Sequence, residues 1–411
     1  MRPNILALTG LRFIAAFSVA ISHAVSLVVP MSGALPTWYV ILNSLAGIGM
    51  PLFFILSGFV IHYNYSDSIK QQRGRGLFNF FVARFGRIYP LFVVCLLYDL
   101  AWKYTYAQLP DTTAQALPFY LTMTQTWIFH QLGSQSLIVQ FGPSPQVAWS
   151  ISTEWFFYCV YPLICAGLVY ARNVATVIRS IVILILIAVA VIAALGYNAE
   201  SINDFGVAHF GPGVDQNPSI SFSFFGWLVY FSPYSRILEF ILGCLCADLI
   251  MKFGSATAGT GAARTIFALL LLMALYLLLY PFSGLLPLSP FQISAFRMCF
   301  GLAPACALLI FCCARYDNAI TRALSAPRLL LCGEASYSLY LLHPMVVDAF
   351  RFESADSVIS PWVLAGNFLR LILTLLAAVG LSLVTWQIIE MPARKTIRGL
   401  LISRAQLKRQ I

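Results

Sequence analysis

The sequence predicts an all-α membrane protein, a single bundle of about ten transmembrane helices. Three observations predict it. Of 411 residues, 60% are hydrophobic and only 10% are charged, an apolar load that a soluble core of this size cannot hide. The apolar residues gather in runs close to the length of a helix that crosses a hydrocarbon core, not in the short alternating segments of a barrel. The 25 basic residues fall mostly between those runs, so the net charge of +10 reports topology and not a contiguous patch for nucleic acid.

The runs lie at residues 8–29, 41–63, 80–102, 147–170, 179–197, 230–251, 265–282, 293–313, 329–350 and 362–389. The first carries Arg2 ahead of it like a signal peptide, but Arg12, Ser22 and His23 interrupt its apolar core, which predicts a retained span. With the N-terminus inside, the inner segments hold Lys70, Arg73, Arg75, Arg84 and Arg87, then Arg172 and Arg179, Lys252 and Arg264, Arg315, Arg322 and Arg328, and the basic end of the chain. The outer loops hold Lys103 and Arg351. That bias predicts both termini in the cytoplasm.

Short loops predict one domain over residues 1–411. Two longer outer segments, 103–146 and 198–229, contain apolar pieces (117–129 and 220–231) too short to span, expected in the interface or re-entering. Residues 391–411 read as a basic amphipathic cytoplasmic tail on anionic inner-leaflet lipid. The ten cysteines show neither CxxC spacing nor neighbouring histidine ligands, which supports neither a disulfide framework nor a metal site.

A charge at the centre of a span costs about 2.5–3.5 kcal/mol on insertion scales, so each one needs a reason. Four clusters stand out. Arg12 and His23 are eleven helical rises apart, about 16 Å, which puts the arginine near the inner face and the histidine in the outer third. The plain alternative is an arginine snorkelling to phosphates and a histidine hydrogen-bonding between helices. In "ARFGRIYP", Arg84 and Arg87 sit one turn apart at the inner mouth of the third span, as a clamp for a polyanion such as phosphate or as ordinary positive-inside anchors. In "WSISTEWFFY", Glu154 lies about 10 Å below the outer boundary, at the expected depth of His23, with Ser150 one turn above it. A carboxylate there would orient the imidazole as a general base; a structural hydrogen-bonded Glu is the alternative. In "GEASYSLYLLHPMVVD", His343 is about 21 Å from the inner start of its run, beside a Pro344 that frees a carbonyl, and is either catalytic or part of a structural kink.

Taken together, these segments make the chain resemble the membrane-bound acyltransferase 3 family of bacterial O-acyltransferases. The resemblance covers almost the whole chain and rests on "GLRFIAAFSVAISHA", "GIGMPLFFILSGFVI", "RFGRIYPLF", "WSISTEWFFYCVYPL" and "ASYSLYLLHPMVV", in this order. It implies ten core helices in the bacterial inner membrane. It also implies a cytoplasmic acyl-CoA donor, acetyl-CoA in the usual case and succinyl-CoA in others. The acceptor it implies is a hydroxyl at the envelope, of a carbohydrate, lipid-linked or not, or of another molecule such as a small secondary metabolite. By motif, His23 is the catalytic histidine, Arg12, Arg84 and Arg87 serve the donor, and Ser150 and Glu154 support the acceptor side. His343, Ser57 and Tyr337 are supporting residues within the matching segments.

Two positions depart from the pattern. Pro51 and Trp155 stand where many relatives carry acidic residues, leaving Glu154 as the carboxylate of its motif. The length implies no appended esterase-like domain. The mechanism expected is docking of the donor phosphates on the three arginines and deprotonation of an acceptor hydroxyl by His23, oriented by Glu154. A proton-coupled transporter using His23, Glu154 and His343 as a relay is the rival from another class.

Overall fold

The chain begins with α1, Leu6–Ala24, and the computed structural model describes residues 5–28, 36–106, 111–133, 135–168, 173–211, 215, 217, 222–253, 261–351 and 361–407. After α2 (Thr37–Asn43) comes α3, an uninterrupted helical run from Ala46 to Tyr106. It cannot be straight. The Arg84 guanidinium donates to the Tyr65 hydroxyl at 3.0 Å, although nineteen rises of straight helix would separate them by about 28 Å. The run therefore turns back on itself through the "QQRGRG" stretch, residues 71–76, and its two antiparallel arms are the second and third spans expected from sequence.

Two segments of short elements follow the second arm and the seventh helix. The first contains α4 (Thr113–Leu121), a minimal hairpin of β1 (Gln131–Leu132) and β2 (Gln135–Ser136), and α5 (Pro143–Val147), which leads into α6 (Trp149–Gly167). After α7 (Val174–Tyr197), the second contains α8 (Ala199–Phe210), the single turn α9 (Phe224–Gly226) and a wide π-turn at Trp227–Phe231. Of its apolar piece, 222–231 lies within the described residues. That part packs onto the bundle, with Phe225 and Val229 fully buried and Phe231 stacked edge-on against Trp149. The rest of the bundle is α10 (Pro233–Phe253), α11 (Ala262–Leu279), α12 (Pro290–Met298), α13 (Ala303–Arg315), α14 (Ala319–Leu324), α15 (Pro327–Glu334), α16 (Ser336–Ala349), α17 (Pro361–Thr385) and α18 (Met391–Leu407).

Seven helical stretches among the described residues are long and apolar enough to cross a membrane: Leu6–Leu27, Thr37–Gln72, Gly74–Tyr106, Val174–Tyr197, Ala262–Leu279, Pro290–Arg315 and Gly366–Leu401. The other three runs expected as spans are helical too, as α6, α10 and α15–α16, but their composition is more polar. α10 carries Arg236, Glu239, Asp248 and Lys252, and α15–α16 breaks at Ala335 into two shorter helices. α10 and α16 sit inside the bundle: fourteen of the twenty-one α10 residues and eleven of the fourteen α16 residues are buried. α7 and α11 form the lipid-facing jacket, with only 17% and 28% of their apolar windows buried. A helix surrounded by protein can carry polar groups that a lipid-facing helix cannot.

The interior is held by close backbone crossings. A Cβ on Gly58 would lie 2.0 Å from the carbonyl oxygen of Phe240, and one on Gly243 would lie 2.0 Å from that of Ile55. Two facing glycines thus let the first arm of α3 touch α10 backbone to backbone, as small residues do between membrane helices. That contact fixes the turn carrying Ser57 against the centre of the bundle.

Candidate active site

α1 is continuous from Arg12 to His23. Eleven residues at 3.6 per turn bring the two side chains to within about 20° of the same face, about 16 Å apart along the axis. The arginine and the histidine therefore look into the same side of the bundle from different depths.

At the C-terminal end of α1, His23 Nδ1 lies 2.9 Å from His343 Nε2, with the two rings stacked at a centroid distance of 5.0 Å. His343 is fully buried, and its Nδ1 faces the Leu339 carbonyl at 3.1 Å. A carbonyl can only accept, so His343 Nδ1 carries the hydrogen and its Nε2 carries a lone pair. His23 must then donate from Nδ1, which leaves His23 Nε2 as the basic nitrogen. His23 itself is exposed. The arrangement is an accessible imidazole whose tautomer is set by a buried partner.

Toward the N-terminal end of α1, Arg12, Arg84 and Arg87 line one cavity together with Ser57, Ser150, Glu154, Ser336, Tyr337 and Tyr340. α1 supplies Arg12, the two arms of α3 supply Ser57 and the Arg84–Arg87 pair, α6 supplies Ser150 and Glu154, and α16 supplies the tyrosines. Arg84 is buried, lies over the Tyr65 ring with its central carbon 4.9 Å from the centroid, and has an Nε without a hydrogen-bond partner. Among the described residues none of the three arginines is in an ion pair with a carboxylate. Three cations gathered around one space with a single carboxylate, Glu154, form a site for a polyanion, because an anion there removes both the remaining repulsion and the desolvation cost.

One expectation about mutual geometry needs correcting. Glu154 does not orient His23; that contact is made by His343. Glu154 Oε1 instead accepts a short hydrogen bond from Ser57 Oγ, within the electrostatic reach of Arg12 and Arg84. The physical reason is lateral placement. Equal depth along two helices says nothing about which neighbours are side by side, and α16, not α6, brings a side chain against His23. Ser150 donates to the Tyr340 hydroxyl at 2.8 Å, and that hydroxyl donates to the Val147 carbonyl at 2.9 Å. Tyr337 donates to the Ile88 carbonyl, next to Arg87. Trp155, one of the two departures, packs its ring against Phe81 and Phe85 on the arm that bears the arginine pair.

Two features escaped the sequence reading. Tyr340 joins the halves of the site: it lines the cavity, holds Ser150, and its ring lies 5.9 Å from that of His343. The signal was present as Tyr-x-x-His, which places both on one helix face. The second is Arg236, whose Nη1 pairs with Glu239 Oε1 at 2.9 Å with both side chains buried. Arg236 Nε also donates to the Tyr230 carbonyl at 3.1 Å, and Glu239 Oε1 accepts from the Phe300 amide at 3.0 Å. Arg-x-x-Glu within one helical run was the available signal.

Comparison with known proteins fits this geometry. The family described as an acyltransferase domain matches residues 5–387. "Acyltransferase MdmB" of Streptomyces mycarofaciens is 29% identical over 350 residues, 83% of this chain and 78% of that protein. "O-acetyltransferase OatA" of Staphylococcus aureus (strain NCTC 8325 / PS 47) is 22% identical over 359 residues, 85% of this chain and 52% of that protein, so the chain spans about half of OatA. No solved structure matches.

Proposed function

Since the chain belongs to the acyltransferase family and is an acyltransferase of the membrane, we propose that it moves an acyl group, acetyl before succinyl, from cytoplasmic acyl-CoA to a carbohydrate hydroxyl. The acceptor is a cell-surface or lipid-linked glycan, and the setting is the bacterial inner membrane with both chain ends inside. One observation carries the reading: three guanidiniums, outnumbering the one carboxylate of their cavity and in no ion pair among the described residues, lie on the same side of α1 as an accessible imidazole with a defined basic nitrogen.

The residues fit a nucleotide thioester. Arg12, Arg84 and Arg87 would hold its phosphates, and the orphaned Arg84 Nε is a donor waiting for an acceptor. The donor supplies an activated acyl carbon whose C–S bond is broken. His23 Nε2 takes the proton of the acceptor hydroxyl as its oxygen forms the new bond to that carbon, and returns the proton to the departing sulfur. His343 keeps Nδ1 of His23 protonated through the transfer, the task an orienting group performs for a general base. Glu154, held by Ser57, offsets part of the positive field in the cavity, and Ser150 with Tyr340 shapes the passage between the two ends. No acyl-enzyme on His23 or Ser150 is required.

The test is His23→Ala in the full-length protein. Acetyl transfer to surface glycan is lost while the variant still accumulates folded in the membrane. Acetylation at the wild-type level in that variant would remove the assignment.

A further inference from the structure

We propose that the C-terminal helix completes the donor site, with Arg394 as a fourth anion-binding guanidinium that takes the phosphate on the ribose of the donor nucleotide. The inference rests on the donor reading above. The sequence places these residues in a tail on lipid, but α18 packs on the second arm of α3: a Cβ on Gly86 would lie 3.2 Å from the Ile397 side chain. Gly86 lies between Arg84 and Arg87, and Arg394 lies one turn before Ile397 on the same face of α18. The contact therefore presents Arg394 at the base of the arginine pair.

What surrounds Arg394 there is loose. Its Nη1 is 3.5 Å from Glu390 Oε1 and 4.0 Å from Glu334 Oε2, both longer than the roughly 2.7–2.9 Å of a charge-assisted hydrogen bond. Glu390 is buried, its Oε1 has no hydrogen-bond partner, and its Oε2 accepts from Ser338 Oγ at 3.0 Å, beside the cavity-lining Tyr337. A π-turn at Trp386–Glu390 sets the approach of α18, a form of helix that recurs at functional sites. The charges of Arg87 and Arg84 act on Arg394, and Glu334 acts on Arg12 and Arg394, so these groups share one electrostatic field. The Arg394 side chain keeps 31% of its surface exposed, which leaves it accessible to a ligand entering from outside the cavity. Carboxylates at 3.5 and 4.0 Å keep such a cation in place without closing a charge-assisted hydrogen bond on it, and a phosphate would take its donors.

Binding of CoA and of dephospho-CoA, which lacks the ribose phosphate, to the purified full-length chain in detergent tests this by calorimetry. The wild-type chain binds CoA more tightly. Arg394→Ala lowers affinity for CoA about tenfold, the scale of one charged hydrogen-bonding partner, and leaves affinity for dephospho-CoA unchanged. Glu334→Gln retains or tightens CoA binding, whereas a merely structural pair would make it mimic Arg394→Ala. Equal weakening of both ligands by Arg394→Ala, or of neither, overturns the proposal. Should Arg394→Ala not fold, loss of CoA affinity in Glu334→Gln overturns it instead. CoA binding that depends on Arg84 but not on Arg394 sinks this inference alone; a wild-type chain that binds neither ligand sinks the donor reading with it.

Discussion

Arg236 and Arg84 are both buried guanidiniums set against aromatic rings, and they differ in what neutralises them. Arg236 has Glu239 at 2.9 Å, the Tyr230 carbonyl at 3.1 Å, and the rings of Phe54, Trp149 and Tyr230 at 5.4, 5.9 and 5.1 Å. Arg84 has the Tyr65 hydroxyl at 3.0 Å, an Nε without a partner, and two further arginines across the cavity. The first region is closed electrostatically. Its carboxylate also holds the amide of Phe300, a residue in the left-handed region at φ 65°, so the pair fixes the link between α12 and α13. The second region is left open. The same residue type in the same burial is structural where its charge is matched and available for a ligand where it is not.

Substitutions that exchange these conditions sharpen the contrast. The largest effect is expected at the closed pair: Arg236→Met leaves Glu239 buried without its counter-charge and costs about 3–5 kcal/mol, read as lower thermal stability of the purified protein. His343→Ala comes next. It removes the acceptor for His23 Nδ1–H, and the rate of acyl transfer should fall roughly 100-fold, the lower end for a general base, with the donor KM unchanged. Arg84→Gln weakens donor binding by about 1.5–3 kcal/mol, the range for a charged hydrogen bond, and lowers thermal stability without ligand less than Arg236→Met does, because it breaks the Tyr65 contact but no ion pair. Ser57→Ala is the mildest, at about 1.5 kcal/mol, the low end for a hydrogen bond to a charged group, measured as a roughly tenfold or smaller change in transfer rate.

How far the sequence carried depended on whether a property was local. Helical runs, the α1 spacing of Arg12 and His23, and the Arg84–Arg87 pair are set by composition and periodicity along one segment, and each is found in the structure as a helix or a shared face. The turn inside α3 was legible as two spans separated by a basic, glycine-containing stretch, but its continuity as helix was not. Partner choice was the least legible. Counting rises gave His23, Glu154 and His343 similar depths, yet depth is one coordinate of three, and lateral packing of α16 on α1 decided for His343. The docking of α18 was hidden for the same reason: amphipathicity shows that one face is apolar and does not say whether lipid or Gly86 covers it.

The claim that the open arginines form a donor site is tested most directly by the unfolding temperature of the wild-type chain and of an Arg84→Gln/Arg87→Gln variant, with and without CoA. A ligand at 100 times its Kd stabilises the folded state by about 2.7 kcal/mol. The wild-type protein should therefore melt measurably higher with CoA and the double variant should not move. An equal shift in both proteins, or none in the wild type, would contradict the account.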